Sequence, residues 1–223
     1  MSSPLILPDE NLVTSGVQRA VYLHPNDPTK LVKVLRPEAE RPVRNNFNGI
    51  MDRTFPSTRL RQIRKEYAEY LRVMLKHTEP DFHLPFTHMF GFTATNKGLG
   101  CITERVIGTD APLGKTLRSK TMDGTLTQDD IDLLNQTVRQ IYANGIRASD
   151  MNANNFVFGH RDQAGTLGPR ECVLVDGFGD THAILVRSLS RWSNALGLDD
   201  SCKRLATKNG LQWDPKQRQF ALT

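Results

Sequence analysis

Three residues, Asp150, Asn155 and Asp176, have the types and the spacing to move a phosphoryl group. One carboxylate can orient and deprotonate an acceptor hydroxyl, while a second carboxylate and an amide oxygen can hold Mg2+ against the phosphates of ATP. That division of labour puts Asp150 on the acceptor side and Asn155 and Asp176 on the metal. Taken singly, an Asp or Asn is more often a turn or cap residue. The set gains its meaning from the elements between its members.

Phe156 to Phe158 and Cys172 to Val175 are short apolar runs bounded by Gly, Pro and Asp, the mark of strands at this length. The polar, turn-rich stretch from Gly159 to Arg170 predicts a hairpin between them. A catalytic loop at 146–155 enters that hairpin and a metal turn at 176–179 leaves it, the order of the protein-kinase catalytic loop and metal-binding turn. The literal triplet His160-Arg161-Asp162 copies a kinase signature, but Leu167 stands where a metal-binding Asn is needed, so the triplet is expected on solvated surface.

Other elements must carry the remaining charges. Residues 1–15 are expected as an extended lead-in, and Arg19 to His24 and Leu31 to Leu35 as a hairpin around Pro25-Asn26-Asp27-Pro28. By the period of two, Lys33 shares a face with Leu31 and Leu35, from which an inward ammonium could reach the ATP phosphates. An exposed edge-strand lysine is the bland alternative. After an irregular basic insertion at 36–57, Ile63, Tyr67, Tyr70, Leu71, Met74 and Leu75 trace one face of a helix at 58–76. Glu66 lies on the shoulder of that stripe and is the candidate partner for Lys33, whereas Glu69 is expected farther round toward solvent. Thr87 to Thr95 and Leu99 to Val106 predict a second hairpin around Asn96-Lys97-Gly98. The polar break at Ile107 to Asp110 then reads as a hinge, where backbone groups near Glu104 and Val106 would meet adenine. Thr127, with Asp130 three residues on, caps a helix that Asn144-Gly145 ends just before the catalytic loop. Thr181 to Leu196 and Asp199 to Asn209 read as two helices, with Trp192 and Trp213 as packing anchors.

The 223-residue chain can bury a substantial core, and its apolar and charged content is ordinary for a soluble protein. With no apolar run long enough for a membrane span and no signal peptide at Met1-Ser2-Ser3-Pro4, a cytoplasmic location is expected. Cys101, Cys172 and Cys202 are widely separated and read as reduced thiols, and no His pair at helical spacing calls for zinc. The formal charge of +5 points to an anionic partner, with ten Lys or Arg against five Asp or Glu between Arg36 and Lys76. A solvated basic face explains that segment as well as a binding surface does.

The chain resembles the YrbL family of small bacterial proteins, linked by name to the PhoP regulatory network. The resemblance spans roughly Gly16 to Arg191 and rests on Val21-Tyr22, His24-Pro25, Asp27-Pro28 with Lys33-Val34, Arg64-Lys65-Glu66-Tyr67, Asp150 with Asn154-Asn155, and Val175-Asp176-Gly177-Phe178-Gly179. It implies an α+β, reduced protein-kinase-like fold in two lobes: 1–106 with a small antiparallel sheet and one helix, and a mainly helical 107–223 with the catalytic hairpin. It also implies ATP and Mg2+ as ligands, with Gly16 in the turn over the phosphates. Two departures bear on activity. Ser15-Gly16-Val17-Gln18-Arg19 has a single glycine where kinase phosphate loops have several. No Ala-Pro-Glu element follows the metal turn, so a protein acceptor does not follow. Three classes stay open: a phosphotransferase acting on a small-molecule or glycan-like hydroxyl, with nucleotidyl transfer as a variant; a catalytically silent kinase-like module that binds a nucleotide or a partner; and a nucleic-acid-binding protein, which rests on the basic segment alone.

Overall fold

The computed structural model describes residues 3–16, 19–36, 57–179 and 191–223. The expected basic insertion therefore lies almost wholly outside the described residues. Contacts divide the chain into two compact units, Met1–Arg59 with His88–Arg105, and Leu60–Thr87 with Val106–Thr223. The expected division at 106 assigned the helix at 58–76 to the first lobe; from Leu60 onward it groups with the second unit.

The first unit is a five-stranded antiparallel sheet of β1 (Leu12–Ser15), β2 (Arg19–Leu23), β3 (Lys30–Leu35), β4 (Met89–Thr95) and β5 (Gly98–Glu104), in the order β1-β2-β3-β5-β4. Both expected hairpins are present, with Tyr22 opposite Val32 and Phe92 opposite Cys101. The lead-in is more ordered than a free extension: β1 pairs with β2, Leu5 N–H donates to Ala94 O, and Leu7 N–H donates to Asn96 Oδ1. Leu7 then joins Tyr22, Val32 and Val34 in a buried cluster. On β3 the deepest burial thus falls on Val32 and Val34, and the alternate face presents Leu31 with a half-buried Lys33.

The second unit carries most of α1 (Ser57–Lys76), then β6 (Lys115–Thr116), α2 (Leu117–Met122), α3 (Gln128–Ala143), β7 (Phe156–Gln163), β8 (Thr166–Leu174), α4 (Arg191–Lys208), β9 (Leu211–Asp214) and β10 (Gln219–Leu222). A three-stranded sheet runs β6-β7-β8. Thr127 closes a full capping box with Asp130, and α3 buries Ile131, Leu134, Val138 and Ile141. The elements are mixed α+β in the order expected of a reduced kinase-like fold: sheet, helix, sheet, helix, loop, hairpin, turn.

Five local expectations are corrected. The stretch from Gly159 to Arg170 is not an open loop, because β7 and β8 stay paired until the Ala164-Gly165 turn. Arg161 is buried on this hairpin, donates to Leu84 O and Phe86 O at 2.7 and 3.3 Å, and lies 3.3 Å from Glu171, so the His-Arg-Asp triplet is structural and not solvated. In the tail, one helix runs through Gly197 where two were expected, and a β-hairpin follows it; residues 181–190 lie outside the described residues. Trp192, expected as a packing anchor, is 73% exposed, whereas Trp213 packs against Phe220 at 4.7 Å. On α1 the buried face is Glu66, Glu69 and Val73, while Leu71 and Leu75 are 43% and 79% exposed. The reason is charge pairing. Glu69 accepts from Arg72 Nε at 3.0 Å and from the Arg147 N–H at 2.8 Å, which offsets its desolvation and draws that face inward in place of the leucine stripe.

All three cysteines are buried thiols outside any disulfide. No helix among the described residues is long and apolar enough to cross a membrane.

Candidate active site

The catalytic loop and the metal turn both lie in the second unit. Gly145, at φ +59°, turns the chain out of α3, and Arg72 Nη2 donates to its carbonyl at 3.0 Å. Ile146 and Ala148 are fully buried and pin the start of the catalytic loop, while Asp150 is exposed. The next residues close on themselves: Asn152 N–H donates to Asp150 O at 3.0 Å, and Asn155 N–H to Asn152 O at 3.0 Å.

The metal turn is tied to this loop along its length. Val175 N–H donates to Asn155 O at 2.8 Å, Asp150 N–H to Gly177 O at 3.1 Å, and Gly179 N–H to Arg147 O at 2.8 Å. Ser149 Oγ adds a bond to Gly179 O at 2.8 Å. Asn155 Nδ2 donates to Asp150 O at 2.9 Å, which fixes the amide with Oδ1 as its remaining acceptor. Asp176 Oδ1 accepts from the Gly177 N–H at 2.7 Å.

Gly177 explains why Asp176 is followed by Gly-Phe-Gly. Its φ is +80°, and a Cβ there would lie 2.2 Å from Asp150 O and 2.8 Å from Asn155 Nδ2. A side chain at 177 would thus separate the two halves of the site. Phe178, between the glycines, is buried and stacks on Phe86 at 4.4 Å, and Phe86 meets Tyr70 of α1 edge-on. An aromatic column therefore holds the turn from below.

Asp150, Asn155 and Asp176 are thus joined through neighbouring backbone. Glu66 is buried on α1, and Val106 packs with Val157 and Val173. Lys33, Gly16 and Glu104 belong to the first unit. Gly16 N–H donates to Arg19 O at 2.9 Å across the β1–β2 turn, and Glu104 exchanges hydrogen bonds with His88 through its backbone N–H and its carboxylate. Glu69 is the residue that sequence reasoning missed. Through Arg147 it ties α1 to the catalytic loop, and its only sequence signal is the Glu69/Arg72 spacing along one helix face.

The donor set suits Mg2+. A carboxylate and an amide oxygen are hard oxygen donors, and Mg2+ characteristically takes one or two carboxylates with the rest of its shell from water and phosphates. Among the described residues no group of three or more His, Cys, Asp or Glu that could hold a metal forms.

Comparison with known proteins places the chain in a family. The family described as PhoP regulatory network protein YrbL matches residues 5–209, and the chain belongs to it. No match arises among curated protein sequences. Solved structures similar to it include Rad53 1-466 in complex with AMP-PNP (14% identity, TM-score 0.48, covering 89% of this chain and 46% of that one). WbdD crystallised with the kinase inhibitor LY294002 matches at 10% identity and TM-score 0.46, over 74% of this chain and 32% of that one. The Mycobacterium tuberculosis PknI kinase domain, a C20A_R136A double mutant, matches at 14% identity and TM-score 0.46, over 91% and 75%. The chain thus spans under half the length of the first two.

Proposed function

We propose that this chain is an ATP- and Mg2+-dependent phosphotransferase acting on the hydroxyl of a small or glycan-like acceptor. The observation that carries the reading is the interlock of the catalytic loop and the metal turn, in which Gly177 lets the Asp176 turn close onto Asp150 and Asn155. On this reading Asn155 Oδ1 and the Asp176 carboxylate hold the cation. Bound Mg–ATP would supply an electrophilic γ-phosphoryl group. Asp150 would accept a hydrogen bond from the acceptor hydroxyl and take its proton as that oxygen bonds to the γ-phosphorus and the bond from phosphorus to the bridging oxygen of the departing ADP breaks. Its carboxylate suits the task, since it is exposed and makes no hydrogen bond or ion pair among the described residues. We also assign Lys33 and Gly16 to the phosphates, Glu104 and Val106 to adenine, and Glu66 to the charge balance of the nucleotide.

The test is Mg-dependent ATP binding by calorimetry. Asp176→Asn and Asn155→Ala should each weaken Mg–ATP binding with the fold intact by circular dichroism. If both variants bind Mg–ATP as the parent does, the metal assignment is wrong. A second reading, a nucleotide-binding module without transfer, is favoured by the single glycine of the β1–β2 turn. It predicts tight Mg–ATP binding with no phosphate leaving the nucleotide for any hydroxyl compound offered.

A further inference from the structure

Beside Asp150, in the same compact unit, a recess of about 100 Å³ opens between the catalytic loop and the last turns of α4. We propose that this recess is the acceptor subsite, and that it takes a small hydroxyl-bearing molecule carrying an anionic group, a phosphate or a carboxylate. The proposal rests on the phosphotransferase reading for the role of Asp150, but the binding chemistry is argued from the recess itself.

The loop side of the recess consists of Ser149 to Ala153, and the helix side of Ser201, Arg204, Leu205, Lys208 and Asn209. A group seated here lies against Asp150 without needing any other element. The size suits a small molecule or a single head group and not a folded partner.

The charge of the helix side is the specific feature. Arg204 and Lys208 are four residues apart, so they share a face of α4 and repel each other. The bland explanation is that cations in a last turn complement the helix dipole, and one cation would be enough for that. Arg204 is already engaged, with Nη1 on Asp200 and Nη2 on Ser201 Oγ at 3.3 Å, although the pair with Asp200 is exposed and open to competition. Lys208 makes no ion pair among the described residues. An anion between the two cations would relieve their repulsion while its hydroxyl end points to the carboxylate of Asp150.

A second observation lies in the wall. Asn209 is buried, and its Nδ2 donates to Leu205 O at 2.7 Å, which orients the amide; its Oδ1 has no hydrogen-bond partner. That oxygen is enclosed, so a hydroxyl donor of the ligand would reach it only with a shift of the wall. Leu205, Met151 and Ala153 offer apolar surface for the carbon skeleton of such a ligand.

The experiment titrates nucleotide-free protein with glucose 6-phosphate, glycerol 3-phosphate, gluconate and glucose, following backbone amide shifts by NMR. At least one anionic compound should bind saturably, with shifts concentrated at Ser149–Ala153 and Ser201–Asn209. Glucose should bind at least tenfold more weakly than that compound. Comparing the two phosphates with gluconate tells which anion the recess prefers. The double variant Arg204→Glu with Lys208→Glu should weaken that binding at least tenfold. Both positions are exposed, so the fold should survive, and unchanged Mg–ATP affinity checks this independently. Absence of saturable binding up to roughly 10 mM, ten times the upper end of common KM values, or indifference to the charge reversal, overturns the proposal. Mg–ATP binding without anion binding would sink the subsite alone. Anion binding at these residues without Mg–ATP binding would sink the phosphotransferase reading and leave the subsite standing.

Discussion

Asp130, in the first turn of α3, and Asp150, past its C-terminal end, belong to the same compact unit, yet their surroundings are opposite. Asp130 is fully buried and saturated. Lys120 Nζ lies 3.1 Å from it, Arg170 pairs with its other oxygen, and Thr127 donates from both its backbone N–H and its hydroxyl. Burial by itself would raise its pKa; the Thr127, Arg170 and Lys120 bonds outweigh that and hold it below the usual carboxylate range. Glu171 also faces two basic side chains, Arg161 at 3.3 Å and His83 at 2.8 Å. Asp150 is exposed, its carboxylate has no hydrogen bond or ion pair among the described residues, and it is positioned by its backbone instead. Buried carboxylates in this unit are surrounded by cations, whereas Asp150, the carboxylate proposed to meet a ligand, is left exposed.

The largest contrast should come from function. Asp150→Asn is expected to lower phosphoryl transfer about 10²- to 10⁴-fold while changing unfolding free energy by less than about 0.5 kcal/mol. Rates and urea melts on the same preparation would show it, and undiminished turnover would remove Asp150 from the mechanism. Asp130→Ala should do the reverse and cost about 3–5 kcal/mol of stability, because it leaves Lys120 buried without its carboxylate. A loss below about 1 kcal/mol in chemical denaturation would mean that the buried cluster is only decoration.

Gly177→Ala tests how tightly the two halves of the site are pressed together. A methyl group 2.2 Å from Asp150 O, on a backbone at φ +80°, should cost about 1–3 kcal/mol. Mg–ATP affinity should fall with it, and a variant as stable as the parent with full affinity would show that the close approach is dispensable.

The smallest effect should come from the first unit. Hydrogen bonds from Lys30 and then Thr29 lower the Asp27 pKa from 3.8 to about 2. A depressed folded-state pKa contributes stability above the unfolded value and loses it as pH falls through the folded value, here between 3.8 and about 2. Asp27→Asn should therefore flatten the acid limb of the stability profile in that window, with a difference under about 1 kcal/mol at neutral pH because the pair is surface-exposed. Identical acid limbs would show that Asp27 is unpaired in solution.

The local elements were determined by sequence alone because their signals are local. The Thr127/Asp130 box, the period of α3, the two hairpins of the first sheet and the order of loop, strand and turn from Arg147 to Gly179 follow from neighbouring residues and steric rules. The burial of charge was decided only in three dimensions. A carboxylate such as Glu69 or a guanidinium such as Arg161 can leave water only when partners from distant segments satisfy it, and no periodicity along the chain records those partners. For the same reason the apolar stripe of α1 marked its inward face only in part, with Tyr70 packed and Leu71 and Leu75 exposed, and the cations of α4 could not be connected with Asp150 until the fold set them around one recess.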